Sequence, residues 1–193
     1  KKMLVQYGHF KIKTDVLFIL DQLPDVVLLS YTDACDKYNC ERSLFTSSSN
    51  YGFTMKKVSQ TGKMRYIVLF NDWKDATTIR FTLAHEIAHI ILGHLEDTEI
   101  ANKEANCFAR NLLCPIPVRN VLGLRTESDL CATFDVSEPM AQVSLHCESS
   151  DSYHIDKTLY QDLYDISEVV TWDQGIVSNN TIPFTPTKVS TAF

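Results

Sequence analysis

No stretch of this 193-residue sequence is apolar for long enough to cross a bilayer; Leu17 to Leu20 and Ile90 to Leu92 are short patches of the kind a core absorbs. Cys-x-x-Cys is absent as well: the six cysteines stand at 35, 40, 107, 114, 131 and 147, a spacing that excludes a zinc ribbon. Nothing marks the chain as secreted, so these thiols are expected to be free and half-buried or buried, not bridged. There is no surplus of positive charge either. The net charge is −6; seven acidic against two basic residues give 148–193 a net −5, so 1–147 carries only −1. That balance offers no electrostatic footprint for nucleic acid. Lys1-Lys2-Met3 is not followed by the apolar segment of a secretory signal, so a cytoplasmic protein is expected, one that does not naturally begin at Lys1. No internal repeat is present.

What remains is an ordinary globular composition, 45% hydrophobic and 22% charged, at a length that suits one domain with a proper core. That domain is expected over 1–147. The acidic segment 148–193 carries Tyr153, Tyr160, Tyr164, Trp172 and Phe184, too many aromatics for a plain disordered tail, and is expected to pack on the domain as an extension.

Hydrophobic periodicity predicts helices over 9–22 and 31–42 around a short strand at 26–29. Gly52–Val58 and Met64–Phe70 read as two strands of a hairpin whose loop contains Gly62. Helices follow over 76–92, ending near Gly93, and over 97–113, stopped by Cys114-Pro115-Ile116-Pro117. Two shorter helices are predicted over 128–134 and 138–146. The class is α+β: a small antiparallel sheet packed against a helical bundle.

The chemistry is concentrated in one helix. Phe81-Thr82-Leu83-Ala84-His85-Glu86-Ile87-Ala88-His89-Ile90-Ile91-Leu92 places His-Glu-x-x-His in apolar surroundings. Residues four apart lie one turn apart on one face, so the imidazoles of His85 and His89 can reach a single ion, and imidazole suits Zn²⁺. Glu86 lies beside them as the candidate general base, able to accept a proton and return it to a leaving amine. Two histidines and a glutamate in so apolar a helix would be costly without a metal or partners.

A third protein ligand is needed, and the following helix offers Glu96, Asp97, Glu99 and Glu104. Glu104 shares a column with Ile100 and Phe108 and borders the buried face, whereas Glu99 shares one with Lys103. Both flank the stripe of Ala101, Ala105, Phe108 and Leu112, so periodicity leaves the choice open. His94 is a further donor, expected to act as a polar residue at the helix end.

Together, Arg80 through His89, Glu104-Ala105-Asn106-Cys107-Phe108-Ala109 and Leu112-Leu113-Cys114-Pro115 resemble the ImmA/IrrE family of metallopeptidases. The resemblance spans roughly residues 10–147 and implies a zincin-like fold, one Zn²⁺ per chain, His85, His89 and Glu104 as ligands and Glu86 as catalytic base. It also implies a protein substrate, a repressor with a helix-turn-helix domain from a mobile element or stress regulon. Neither nucleic acid nor membrane is expected as a direct partner. Two departures are visible: Ser144 stands before Leu145 where the family often has arginine, and the tail after Cys147 has no counterpart.

Two rival functions follow from the same residues. Leu130 to Ser137 with Met140, Val143 and Leu145 resembles a helix-turn-helix, as in a DNA-binding regulator, but Glu138–His146 contains no Lys or Arg to meet phosphates. A non-catalytic, metal-containing partner-binding protein of the toxin–antitoxin type would have no need of Glu86. For a peptidase, Met64–Phe70 is the expected strand edge for pairing with substrate, and 130–146, with Gln142 and Ser144, the expected docking surface.

Overall fold

The computed structural model describes residues 12–59 and 62–153. It is an α+β protein. Helix α1 (Val16–Gln22) leads into β1 (Val26–Ser30), α2 (Tyr31–Tyr38), the single turn α3 (Ser43–Thr46), β2 (Gly52–Val58) and β3 (Met64–Phe70). The helical half comprises α4 (Ala76–Ile91), α5 (Glu99–Leu113), α6 (Ile116–Val121), α7 (Glu127–Phe134), α8 (Glu138–His146) and α9 (Glu148–Ser152).

Local chemistry explains where these elements begin and end. Of the helix expected over 9–22, residues 9–11 lie outside the described ones; among the rest a helix starts at Val16, where Asp15 caps it, its carboxylate accepting from Phe18 N–H. The helix expected over 31–42 stops at Tyr38, where Asn39 turns into the left-handed region at φ 48°. Thr126 and Asp129 form a reciprocal capping box at the start of α7.

The sheet differs from the antiparallel one expected. Its order is β1-β3-β2, with β2 antiparallel to β3 but β1 parallel to it, Val26 opposite Tyr66 and Ser30 opposite Phe70. The chain passes through α2 and α3 into β2, which runs opposite to β1, and the hairpin then brings β3 back in the direction of β1 and seats it between the two. A second correction follows. Met64–Phe70 is the central strand, so it has no open edge for a substrate; β2 is an edge strand among the described residues.

One face of the sheet packs on α4. Val68, Leu83, Ala84 and Ile87 join Ile19, Leu20, Ala109, Leu113, Leu130 and Phe134 in the main core. The small side chains Ala84 and Ala88 on α4 and Ala101, Ala105 and Ala109 on α5, all buried, let the two helices pack side by side. At Gly52 β2 lies against α4: a Cβ there would lie 2.6 Å from Thr82 Cγ2 and 2.7 Å from Leu69 O. That approach brings Thr54, two residues on, within reach of α4.

Of the acidic extension, residues 148–153 are described, and α9 docks on α5. Asp151, 8% exposed, accepts from Arg110 Nε and Nη2 at 2.9 Å each and from Asn111 Nδ2 at 2.8 Å. The aromatic residues Tyr160, Tyr164, Trp172 and Phe184 lie outside the described residues. All the described cysteines are free thiols. Among the described residues, no helix is long and apolar enough to cross a membrane.

Candidate active site

Helix α4 carries the site. Its N-terminus is held by Asp75, which accepts from Thr78 N–H at 2.9 Å and from the hydroxyls of Thr77 and Thr78 at 2.6 Å each. Those bonds keep the Asp75 carboxyl well below the usual range. Its C-terminus closes with Gly93 at φ 69°, Gly93 N–H on Ile90 O at 3.3 Å and His94 N–H on His89 O at 3.0 Å. This turn folds the chain back so that His94 lies against His89, with ring centroids 4.9 Å apart.

A cleft of about 930 Å³ opens beside the helix, with Phe53, His85, Glu86, His89, Asn102 and Met140 among its lining residues. On its wall, one turn of α4 apart, Nε2 of His85 and Nε2 of His89 lie 2.9 Å from each other. Glu86, 6% exposed, accepts from the Thr54 hydroxyl on β2 at 2.7 Å. Burial pushes the Glu86 carboxyl up to about 7, against the lowering effect of that hydrogen bond; Asp97 adds to the rise and Lys56 opposes it. His85 is pushed down by burial, with Asn106 and Asn102 opposing, and His89 by burial and by His85. Both rings are therefore biased to the neutral form, whose nitrogen lone pairs can bind a cation.

Of the four expected site residues, the fold gathers His85, Glu86 and His89. Glu104 is not brought to the pair. Its side chain is 57% exposed, and Oε2 accepts from His94 Nε2 at 2.9 Å. Helical phase is the reason: two residues after Asn102, a side chain on α5 points to nearly the opposite side. Asn102 and Asn106, four apart, are the residues that face α4. Oδ1 of Asn106 lies 2.9 Å from His85 Nδ1, and Oδ1 of Asn102 lies 3.3 Å from His85 Nε2. Asn102 interacts with His89 too. Thr54, Asn102 and Asn106 were not singled out in the sequence, whereas His94 was, as a donor expected to act as a polar residue at the helix end. The one available signal was that 102 and 106 repeat the four-residue spacing of His85 and His89 beside a stripe of alanines.

These bonds set the tautomers of neutral rings. Asn106 Oδ1 can only accept, so His85 carries its proton on Nδ1. The Glu104 carboxylate accepts from His94 Nε2–H, leaving His94 Nδ1 to accept from His89 Nδ1–H at 3.1 Å. Nε2 of His85 and Nε2 of His89 then meet at 2.9 Å, with the acceptor-only Oδ1 of Asn102 3.3 Å from the former. Such an arrangement repels itself unless a cation or a proton is shared, and two imidazoles suit a divalent ion. The pair thus fits a metal. The carboxylate expected as third ligand does not complete it: among the described residues, no three His, Cys, Asp or Glu side chains form a group able to hold an ion.

Two helices, α7 and α8, stand where the helix-turn-helix pattern was read, and α8 packs inward. Helix α8 buries Met140, Ala141 and Ser144, and Ser137, Pro139, Met140 and Val143 wall the cleft. Ser144, at 1% exposed, is therefore withdrawn from the expected docking surface, whereas Gln142 remains exposed.

Residues 42–145 match the family model of peptidase M78, described as the IrrE N-terminal-like domain. Neither the curated proteins nor the solved structures provide a match.

Proposed function

Since this chain belongs to the M78 peptidase family with the IrrE N-terminal-like domain, we propose that it is a zinc-dependent endopeptidase cutting an extended segment of one specific protein. The observation that carries this reading is Glu86. A carboxyl in the cleft wall, held by Thr54 and raised to about 7, can both take and return a proton near neutral pH. A structural carboxylate would gain nothing from that burial.

His85 and His89 would hold the zinc, whose contribution when bound is Lewis acidity at the scissile carbonyl. The chain's own groups do the rest. Glu86 accepts the proton of the attacking water and passes it to the leaving amine, while Thr54 fixes the carboxylate through Oε2. Tyr51, Gly52 and Phe53 line the cleft at the start of β2. Pairing of a substrate strand with this edge would hold the peptide extended along the histidines. Such pairing is nearly blind to side chains, so selectivity comes from docking on exposed positions such as Gln142. The substrate we infer is a helix-turn-helix repressor, cut in a linker or a locally unfolded segment, because a folded domain cannot enter the cleft.

A non-catalytic partner-binding protein is the second reading, favoured by the displaced Glu104. Mixing the protein with the repressor encoded beside its gene, followed by mass spectrometry, separates the two. One internal cut lost in Glu86→Gln supports the peptidase. Complex formation without any cut supports the binder, and broad digestion of casein would remove the claim of a specific substrate.

A further inference from the structure

Resting on the peptidase reading above for the class of ligand, we propose that Arg110 binds the substrate backbone. Its guanidinium donates to a carbonyl of the extended peptide, and Asp151 of the acidic extension is the positioning residue that aims it.

Asn102, Asn106 and Arg110 stand four apart on α5 (Glu99–Leu113), so they form one column on the helix. All three line the cleft, and Asn106 reaches Nδ1 of His85 at 2.9 Å. Arg110 is one turn further, about 6 Å along α5 from Asn106. At about 3.3 Å per residue of an extended chain, that is a step of roughly two substrate residues away from the histidines.

The side chain of Arg110 is only 12% exposed, and its orientation is fixed. Nε donates to Asp151 Oδ2 and Nη2 to Asp151 Oδ1, both at 2.9 Å, the fork geometry that a carboxylate accepts best. Asp151 is held in turn by Asn111 Nδ2 at 2.8 Å and by Cys107 Sγ at 3.5 Å. Among the described residues nothing accepts from Nη1. A locked guanidinium in a cleft wall with one uncommitted nitrogen is a preorganised donor. Lys103, the other cation of the lining, is 73% exposed and bound to Glu99, so it lacks that rigidity.

An extended peptide supplies the complementary group. Pairing with the start of β2 uses the N–H and C=O groups on one edge of the substrate. Those on its other edge turn away and need partners of their own inside a cleft. Asp151 also cancels the charge of Arg110, so the site offers direction without net charge. It therefore suits a neutral carbonyl in mid-chain better than a terminal carboxylate, as an enzyme that cuts internally requires.

The probe is a library of random peptides, selected for binding on the full Glu86→Gln chain, which holds a substrate without cutting it. Affinity of the selected peptides should change little between low and high salt, because their contact is to an uncharged oxygen. Adding Arg110→Met together with Asp151→Leu replaces the ion pair by an apolar one and should leave the melting midpoint close to that of the parent. Peptide affinity should nevertheless fall about tenfold or more. Arg110→Lys keeps the charge without the fork and should not restore it. In the parent, the NMR signals of the Arg110 guanidinium N–H groups should shift on saturation with peptide, a readout that needs no further variant. Unshifted signals, undiminished affinity in the double variant, or a selection that yields no peptide would each overturn the contact. A steep loss of affinity with salt would overturn the neutral carbonyl as its acceptor. Cutting by wild type is scored separately: selected peptides that depend on Arg110 but are never cut would uphold the contact and remove the peptidase reading.

Discussion

The hydroxyl of Thr54 on strand β2 donates to Oε2 of Glu86 on helix α4 across 2.7 Å and ties the sheet to the proposed general base. It stabilises the ionised carboxylate, so it holds the Glu86 carboxyl lower than burial alone would set it. Cleavage should rise with pH as Glu86 becomes a base, with a midpoint below the value of about 7 that holds without a metal, since a bound dication favours the carboxylate. Thr54→Val removes the donor without changing the shape much, and should move the midpoint of the pH–kcat/KM profile upward. Glu86→Gln should lower kcat by about 10²–10⁴-fold at every pH while retaining zinc. A Thr54→Val profile superimposed on wild type would show that the hydroxyl does not tune the base.

Folding stability of the zinc-free protein should report the same burial with the opposite pH preference. The Glu86 carboxyl ionises near 4.5 in the unfolded chain and near 7 in the folded one. Between those values the folded state keeps a proton that the unfolded state has lost, so stability falls as pH rises through the window and levels off above it. Glu86→Gln cannot titrate. In denaturant melts at pH 8 it should be more stable than wild type, by about 3 kcal/mol at most. At pH 4 the difference should vanish. Equal midpoints at both pH values would mean that the buried carboxyl carries no such penalty.

For His85 and His89, held below the ordinary 6.5 chiefly by burial, protons compete weakly with a metal. Zinc affinity should therefore stay nearly flat as pH is lowered from 7 to about 6.5, where exposed imidazoles begin to lose ions. Elemental analysis should find about one zinc per chain in zinc-loaded wild type and little in His85→Ala or His89→Ala. Zinc should also raise the melting temperature of wild type with concentration, by mass action, and leave that of His89→Ala unchanged.

Asp151→Ala tests whether the start of the acidic extension belongs to the domain. The substitution would strip Arg110, whose side chain is only 12% exposed, of both its carboxylate bonds and leave Asn111 without its shortest one. A cost of about 3 kcal/mol is expected from leaving a nearly buried guanidinium uncompensated. Arg110 also lines the cleft, so its mobility should slow cleavage as well. An unchanged melting midpoint would show that α9 is attached loosely.

Much of the architecture was legible because local patterns carry it. His85, Glu86 and His89 sit on α4 (Ala76–Ile91) as the spacing of one helical face requires, and the bounds of β2 and β3 follow from their flanking turns. Strand alternation and helical period are properties of neighbouring residues. The order of the sheet is not, and neither its parallel β1–β3 pairing nor the burial of β3 between two strands could be inferred from apolar runs.

The sequence by itself determined which helix carries the chemistry and that two imidazoles share one of its faces, since a separation of four residues leaves no other geometry. It also showed that Glu138–His146, the segment read as a recognition helix, holds no Lys or Arg. Only the tertiary structure decided who meets that helix. Whether 102 or 104 on α5 faces the imidazoles depends on the rotation of α5 against α4, and that rotation is set by the packing of Ala101, Ala105 and Ala109 in the buried seam. The partnership of Thr54 with Glu86 likewise depends on a strand brought close at Gly52, where a Cβ would meet Thr82. A periodicity names the face a side chain occupies, but the neighbour across the gap is supplied by packing between elements distant in sequence.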